Sequence, residues 1–309
     1  MFEVCRTIAR FAVPVFVIAT MLNVGLTQKP SEIVRYLRKW HYVLRMLVAN
    51  FVVVPLLMIV ILSVTSLPPA YRTGLLIFSL GAGAPFLIKL TQLAKHHLAL
   101  GAAIMMLLVL ATIVYMPLVL PLVVNGASGD AGVIARTLLR QMLVPLGVGM
   151  LVARLATGPA RAVQPWVALL SNIALYVVLV AIVIGYFPNL GGIITSGALA
   201  AAMVFILLAF GVGYVAGWGR DHLEDVGALG TAQRNTAAGL IVAAQDFADA
   251  NVLVVMTVAS TASLAILLIL ARGLGRDHLI GVSTPRLPVI GAPAPPRTRW
   301  RHDDGQDRG

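Results

Sequence analysis

The sequence predicts an all-α polytopic membrane protein of about nine transmembrane helices, arranged as an inverted repeat with two broken, crossed helices. Three observations carry that expectation. Hydrophobic residues make up 59% of the 309-residue chain and charged residues only 11%, with a mean hydropathy of +0.93. A soluble domain carries roughly 25% charged residues, so this chain has too few to make a wetted surface. Apolar runs recur at the length of about 20 residues that a helix needs to cross the hydrocarbon core. Finally, two of those runs hold glycine, proline or a polar cluster at their centres, where the others read as Leu, Ile, Val and Ala.

The first span is placed at 8–27. It follows Arg6 and Arg10 but lacks a small-x-small cleavage site, so it reads as retained, not as a signal peptide. Ile33, Tyr36, Leu37 and Trp40 then recur at i, i+3, i+4, i+7 with Arg35, Arg38 and Lys39 opposite, which predicts a short interfacial helix. A plain amphipathic connector accounts for it without a partner. The second span, 42–64, is unbroken. The third, 72–93, contains Pro85, which lacks an N–H and whose ring clashes with the carbonyl of Gly81 one turn earlier. A long fourth span, 97–123, follows, and then 132–155, 164–186 and 191–217. The last of these holds Gly213-x-x-x-Gly217, a spacing that permits close helix packing. In the eighth, 226–246, Gly227, Gly230 and Gly239 flank the polar run Thr231, Gln233, Arg234, Asn235 and Thr236. The ninth is 251–271. From 272 to 309 the chain is a basic tail with Pro285, Pro288, Pro293, Pro295 and Pro296, a composition expected to stay disordered.

Charge placement gives the orientation. The formal charge is +11, which in a soluble protein would suggest nucleic acid. Here sixteen of the 23 Lys and Arg fall on one side of the nine spans, among them Lys29, Arg45, Lys95, Arg161, Arg272 and the tail arginines. Five (Arg6, Arg10, Arg72, Arg136 and Arg140) fall on the other. The positive-inside bias then puts the N-terminus outside and the C-terminus in the cytoplasm of a cell-membrane protein. The parity of nine spans agrees with that assignment.

The remaining two cations, Lys89 and Arg234, lie inside the two broken spans, while all twelve acids lie outside span interiors. A cation at the centre of a span costs about 2.5–3.5 kcal/mol on insertion scales. With no acid inside, backbone carbonyls, water or an anionic substrate must meet that cost. Lys89 lies six residues from the span-edge Lys95 and has a snorkelling alternative; Arg234 has the alternative of capping broken-helix carbonyls. The broken spans have opposite parity and therefore cross in opposite directions, as in an inverted repeat whose binding site lies near the midplane. Half-helix N-termini there offer partial positive charge to an anion.

Other classes fare less well. An intramembrane enzyme needs a nucleophile, acid or metal ligand at depth, and no His, Cys, Asp or Glu lies in a span interior. The lone Cys5 forms no internal disulfide, and the adjacent His96 and His97 point about 100° apart on a helix, so no metal site or cofactor is expected. Gly81-x-Gly83 lies inside a span with no strand before it and is no nucleotide loop.

Several stretches, spread over roughly residues 20–270, resemble the bile acid:sodium symporter superfamily. They are Asn23-Val24-Gly25-Leu26-Thr27; Asn50-Phe51 five residues before Pro55-Leu56-Leu57; Thr91-Gln92-Leu93-Ala94-Lys95 followed by Leu98-Ala99-Leu100; and Asn235-Thr236-Ala237-Ala238. The resemblance implies a core domain holding both crossed helices, a panel domain moving against it, and transport of an organic anion. It also has departures. Leu87 and Ile88 stand where the family has Ser-Asn, Gly230 stands at its sodium-ligating Glu, and Arg234 at its Gln. The expected function is secondary transport of a small organic anion by alternating access, with Lys89 and Arg234 as tethered cations in place of sodium. A non-transporting sensor, a channel-like facilitator and a sodium symporter with atypical ligands are the alternatives. The candidate substrate- or ion-binding residues are Asn50, Pro85, Lys89, Thr91, Gln92, Thr231, Gln233, Arg234, Asn235 and Thr236.

Overall fold

The computed structural model describes residues 2–280 except 29–30, 32–33, 35–37, 97, 125–130, 186, 220–222 and 248. Most of the expected interfacial helix (Ile33, Tyr36 and Leu37) and the tail from 281 onward lie outside the described residues.

The described chain is almost entirely helical. It begins with α1 (Phe2–Thr27) and α2 (Trp40–Ser63). The first broken span follows as α3 (Pro69–Leu80) and α4 (Leu87–Leu93), and α5 (Leu98–Val123) is the long helix after it. Helix α6 runs through Ala131–Leu138, a π turn at Leu139–Leu143 and Val144–Leu155. Then come α7 (Thr157–Gly185), α8 (Phe187–Thr195) and α9 (Ala198–Gly217). The second broken span is α10 (Glu224–Ala232) and α11 (Thr236–Asp246), and α12 (Ala250–Ile280) closes the chain. Among the described residues, six helices are long and apolar enough to cross a membrane: α2, α5, α6, α7, α9 and α12. Helix α1 contributes a shorter apolar stretch, Phe11–Thr27. Large apolar side chains along these helices lie exposed, Leu56, Val60, Val114, Leu118, Tyr176, Val180, Leu207 and Val215 among them. That surface is stable only against lipid. The molecule is a multi-pass membrane protein.

Helix α1 begins at Phe2, ahead of the expected 8, and α7 at Thr157, ahead of the expected 164; two further differences from the sequence reading are larger. The seventh span, expected unbroken over 191–217, is divided into α8 and α9 at Gly197, which takes φ +81°. A left-handed residue ends one helix and re-aims the next; the apolar run hides this because Gly197 is the only sequence signal. Helix α12 also continues nine residues beyond the expected limit of 271, to Ile280.

The helices fall into two groups. Helix α1 packs along α6 and α7. The other group contains both broken spans: α9 lies on α10, and α12 packs on α3, α4, α9 and α11. Glycine sets the closest crossings. A Cβ on Gly25 of α1 would lie 2.9 Å from the Cα of Gly149 of α6, so these backbones touch. In the second group a Cβ on Gly227 of α10 would lie 3.1 Å from the Cα of Gly217 of α9, with the carbonyl oxygen of Gly213 closer still. The Gly213-x-x-x-Gly217 spacing thus serves helix packing. Gly227→Val is expected to lower thermal stability in detergent by about 1–3 kcal/mol, the usual cost of overpacking. An unchanged melting temperature would mean that the crossing has slack.

Candidate functional site

The two broken spans meet where each loses its helix. Residues 81–86 of the first and 233–235 of the second run as extended or turn backbone. They touch through an antiparallel bridge between Ala82 and Arg234, and the Asn235 N–H donates to the Gly81 carbonyl at 3.1 Å. Unpaired backbone is costly inside a bilayer, and other partners complete the pairing. The Thr112 hydroxyl of α5 accepts from the Ala82 N–H at 2.9 Å and lies 3.0 Å from the Ala82 carbonyl. Asn235 caps α11, its Oδ1 accepting from the Ala238 N–H at 3.2 Å, while its Nδ2 donates to the Gly83 carbonyl at 3.3 Å.

Arg234 occupies the centre of this crossing and is 1% exposed. Its Nη1 donates to Asn50 Oδ1 at 2.9 Å and to the Thr231 carbonyl at 3.2 Å. Its Nη2 donates to the Ser79 carbonyl and, at 3.5 Å, to the Asn50 carbonyl. All four acceptors are neutral oxygens. Ser79 lies in the last turn of α3 and Thr231 in the last turn of α10, so the negative ends of two half-helices converge on the guanidinium. That arrangement of unwound carbonyls and half-helix C-termini is what holds a coupling cation in secondary transporters.

Asn50 reaches the guanidinium because of a local irregularity. Helix α2 opens into a π turn at Ala49–Val53, where the Val54 N–H reaches back to the Ala49 carbonyl. Pro55 follows at once, and its ring would crowd the carbonyl one turn earlier in a regular helix. Both amide protons of Asn50 are used, to the Met46 carbonyl at 3.0 Å and to Thr231 Oγ1 at 3.1 Å. Its oxygen is thereby fixed toward Arg234. A second π turn, Leu139–Leu143 in α6, precedes Pro145 at the same spacing.

The other expected residues have different placements. Gln233 is buried, at 6% exposure, and Thr236 is half-buried with its hydroxyl donating to Ser260 Oγ at 2.6 Å. Thr91 is buried, but its hydroxyl donates to the Leu87 carbonyl of its own helix at 2.8 Å and packs against Gly101. Pro85 is half-buried in the turn entering α4. Lys89 and Gln92 are exposed, and the Lys89 ammonium lies 5.7 Å above the Phe86 ring centroid. The two intramembrane cations are therefore not equivalent: Arg234 is caged and Lys89 faces outward.

Sequence reasoning missed Ser79 and Thr112. Ser79 acts through its backbone carbonyl, which leaves no trace in the side-chain pattern. Thr112 had a signal, a hydroxyl in the apolar run of α5.

Gly230, the position where the resemblance implies a sodium-ligating Glu, has apolar surroundings. A Cβ on Gly230 would meet Leu87 Cδ2 at 3.2 Å, Ile104 Cγ2 at 3.5 Å and Met46 Cε at 3.8 Å. A carboxylate there would be buried in hydrocarbon, which is costly without a paired charge.

A model of the sodium bile acid symporter family matches residues 14–192, more than half of the chain. The matched region spans most of α1 through α8, including the first broken span and Asn50. No curated protein matches the chain.

Proposed function

Because the chain belongs to the sodium bile acid symporter family, whose members are transporters, we propose that it carries a small organic anion across the cell membrane by alternating access, with Arg234 in place of a free coupling cation. One observation carries this reading: the guanidinium sits among Asn50, Ser79 and Thr231 oxygens at two converging half-helix C-termini. A covalently attached cation cannot be released, so it holds the crossing in its loaded electrostatic state without a sodium gradient. Lys89, exposed on α4, is the cation available to a mobile anion. The Lys/Arg bias supports an outside N-terminus and a cytoplasmic C-terminus.

Uptake into proteoliposomes tests the reading, with radiolabelled cholate and lactate as probes and sodium, potassium or choline gradients. Saturable uptake of at least one probe is expected, with rates agreeing within about twofold across the three cations. Strict sodium dependence would overturn the role given to Arg234. Absence of saturable uptake of both probes would favour a sensor on the same fold.

A further inference from the structure

Helix α6 is strongly two-sided. Leu138, Met142, Leu146 and Gly149 are buried, the last two against Gly25 of α1. On the opposite side Val133, Val144, Val148, Leu151 and Leu155 lie exposed as one stripe, an apolar face that only lipid covers well. Arg136 and Arg140 are both exposed and interrupt this stripe one turn apart.

The π turn aligns them with it. The Val144 N–H reaches back to the Leu139 carbonyl, five residues away instead of four. One extra residue in a turn rotates the preceding segment by about 100° relative to the following one. In a regular helix the two arginines would therefore leave the line of Val144 and Val148. The irregularity keeps both guanidiniums on the lipid-covered side.

Their depth makes that placement costly without a partner. Arg154 is exposed near the other end of α6. At 1.5 Å per residue Arg136 lies about 27 Å from it along the axis and Arg140 about 21 Å. The hydrocarbon core is about 30 Å thick. With Arg154 at one boundary, Arg136 falls near the other and Arg140 a turn inside it. Neither guanidinium has a hydrogen-bond or ion-pair partner among the described residues. An arginine on a lipid-facing surface extends its apolar stem toward the headgroups. The acceptor found at that level is a phosphate, which the planar fork of a guanidinium grips with two parallel hydrogen bonds.

We propose that Arg136 and Arg140 form a clamp for the headgroup of an anionic phospholipid, its acyl chains lying along Val144, Val148 and Leu151. Two cations without an acid favour a lipid of net negative charge over a zwitterionic one, whose ammonium group they repel. The clamp fastens the group of α1, α6 and α7 to the leaflet at the N-terminal end of α6. It does not depend on what the chain transports.

The test titrates the purified full chain in detergent with phosphatidylglycerol, with phosphatidylcholine of the same acyl chains and with inorganic phosphate. Affinities are read from concentration-dependent thermal stabilisation. Phosphatidylglycerol is expected to bind about tenfold or more tightly than phosphatidylcholine, since each arginine near a membrane surface adds to the attraction. In the double variant Arg136→Gln/Arg140→Gln most of that preference disappears. In Arg154→Gln/Arg161→Gln, which removes the same charge from exposed positions at the other end of α6, the preference stays within about twofold of the parent. The single variant Arg140→Gln gives an intermediate loss and serves if the double one does not fold. Equal affinity for the two lipids in the parent would overturn the clamp. Equal losses in the two double variants would overturn it as well, by showing attraction to net charge alone. Stabilisation by inorganic phosphate matching that by phosphatidylglycerol would make this a free-anion site and exclude the lipid.

Discussion

Arg234→Ala is expected to reduce anion uptake by about 100-fold or more and to lower the melting temperature, with guanidinium ion at millimolar concentration restoring both. The substitution removes a cation that satisfies four oxygens from Asn50, Ser79 and Thr231. Hydrogen bonds to charged groups contribute about 1.5–3 kcal/mol each, and about 1.4 kcal/mol corresponds to a factor of ten, so loss of even two is a large effect. The carbonyls left behind belong to half-helix C-termini, whose negative ends then face each other without a counter-charge. Free guanidinium fits the vacated volume and carries the same planar donors. Arg234→Lys is expected to recover only part of the function, because an ammonium is a point charge and cannot span Asn50 and Ser79 as the fork does. Uptake in Arg234→Ala equal to the parent would remove the guanidinium from the mechanism. Loss of uptake with full thermal stability and no guanidinium rescue would do the same for its role as a built-in cation.

The second large effect is expected at Gly83. This residue takes φ +79°, and a Cβ on it would lie 2.7 Å from the Met105 carbonyl oxygen and 2.8 Å from the Leu108 carbonyl carbon. Those are backbone atoms of α5, which cannot move aside like a flexible side chain. Gly83→Ala therefore combines left-handed strain of about 1–2 kcal/mol with a steric clash against a neighbouring helix. Gly197 is the matched control. It has nearly the same φ, +81°, but a Cβ there meets nothing within 4 Å. Gly83→Ala is expected to lower the melting temperature in detergent several times more than Gly197→Ala. Equal shifts in the two variants would mean that the crossing does not rest on close backbone approach to α5.

The sites of these two substitutions were legible in the sequence to different degrees. The break in the third span follows from Pro85 with Gly81 and Gly83, since a missing N–H and two flexible residues weaken any helix. The break in the eighth follows from polar residues at membrane depth. That Arg234 would be at the centre was readable from charge alone, because no acid accompanies it. Its partners were readable only in part: Asn50 stands out as an amide in an apolar run, whereas the Ser79 and Thr231 carbonyls carry no sequence signature. Lys89 looked equivalent to Arg234 by composition and proved different in position. A helix of seven residues turns it outward past Phe86, and no period or spacing marks which face of so short a segment is buried.

The sequence by itself determined that this chain lives in a bilayer, that the third and eighth spans are interrupted, and that two cations lie within those spans without acids. These are properties of hydropathy, backbone chemistry and charge, and each acts over one helix or less. Tertiary structure alone decided that the interruptions touch and that α3 and α10 direct their C-termini at one guanidinium. The physical reason is that these contacts join residues more than 150 positions apart, such as Ser79 and Arg234. Only the packing of α5, α9 and α12 around the crossing brings those residues together.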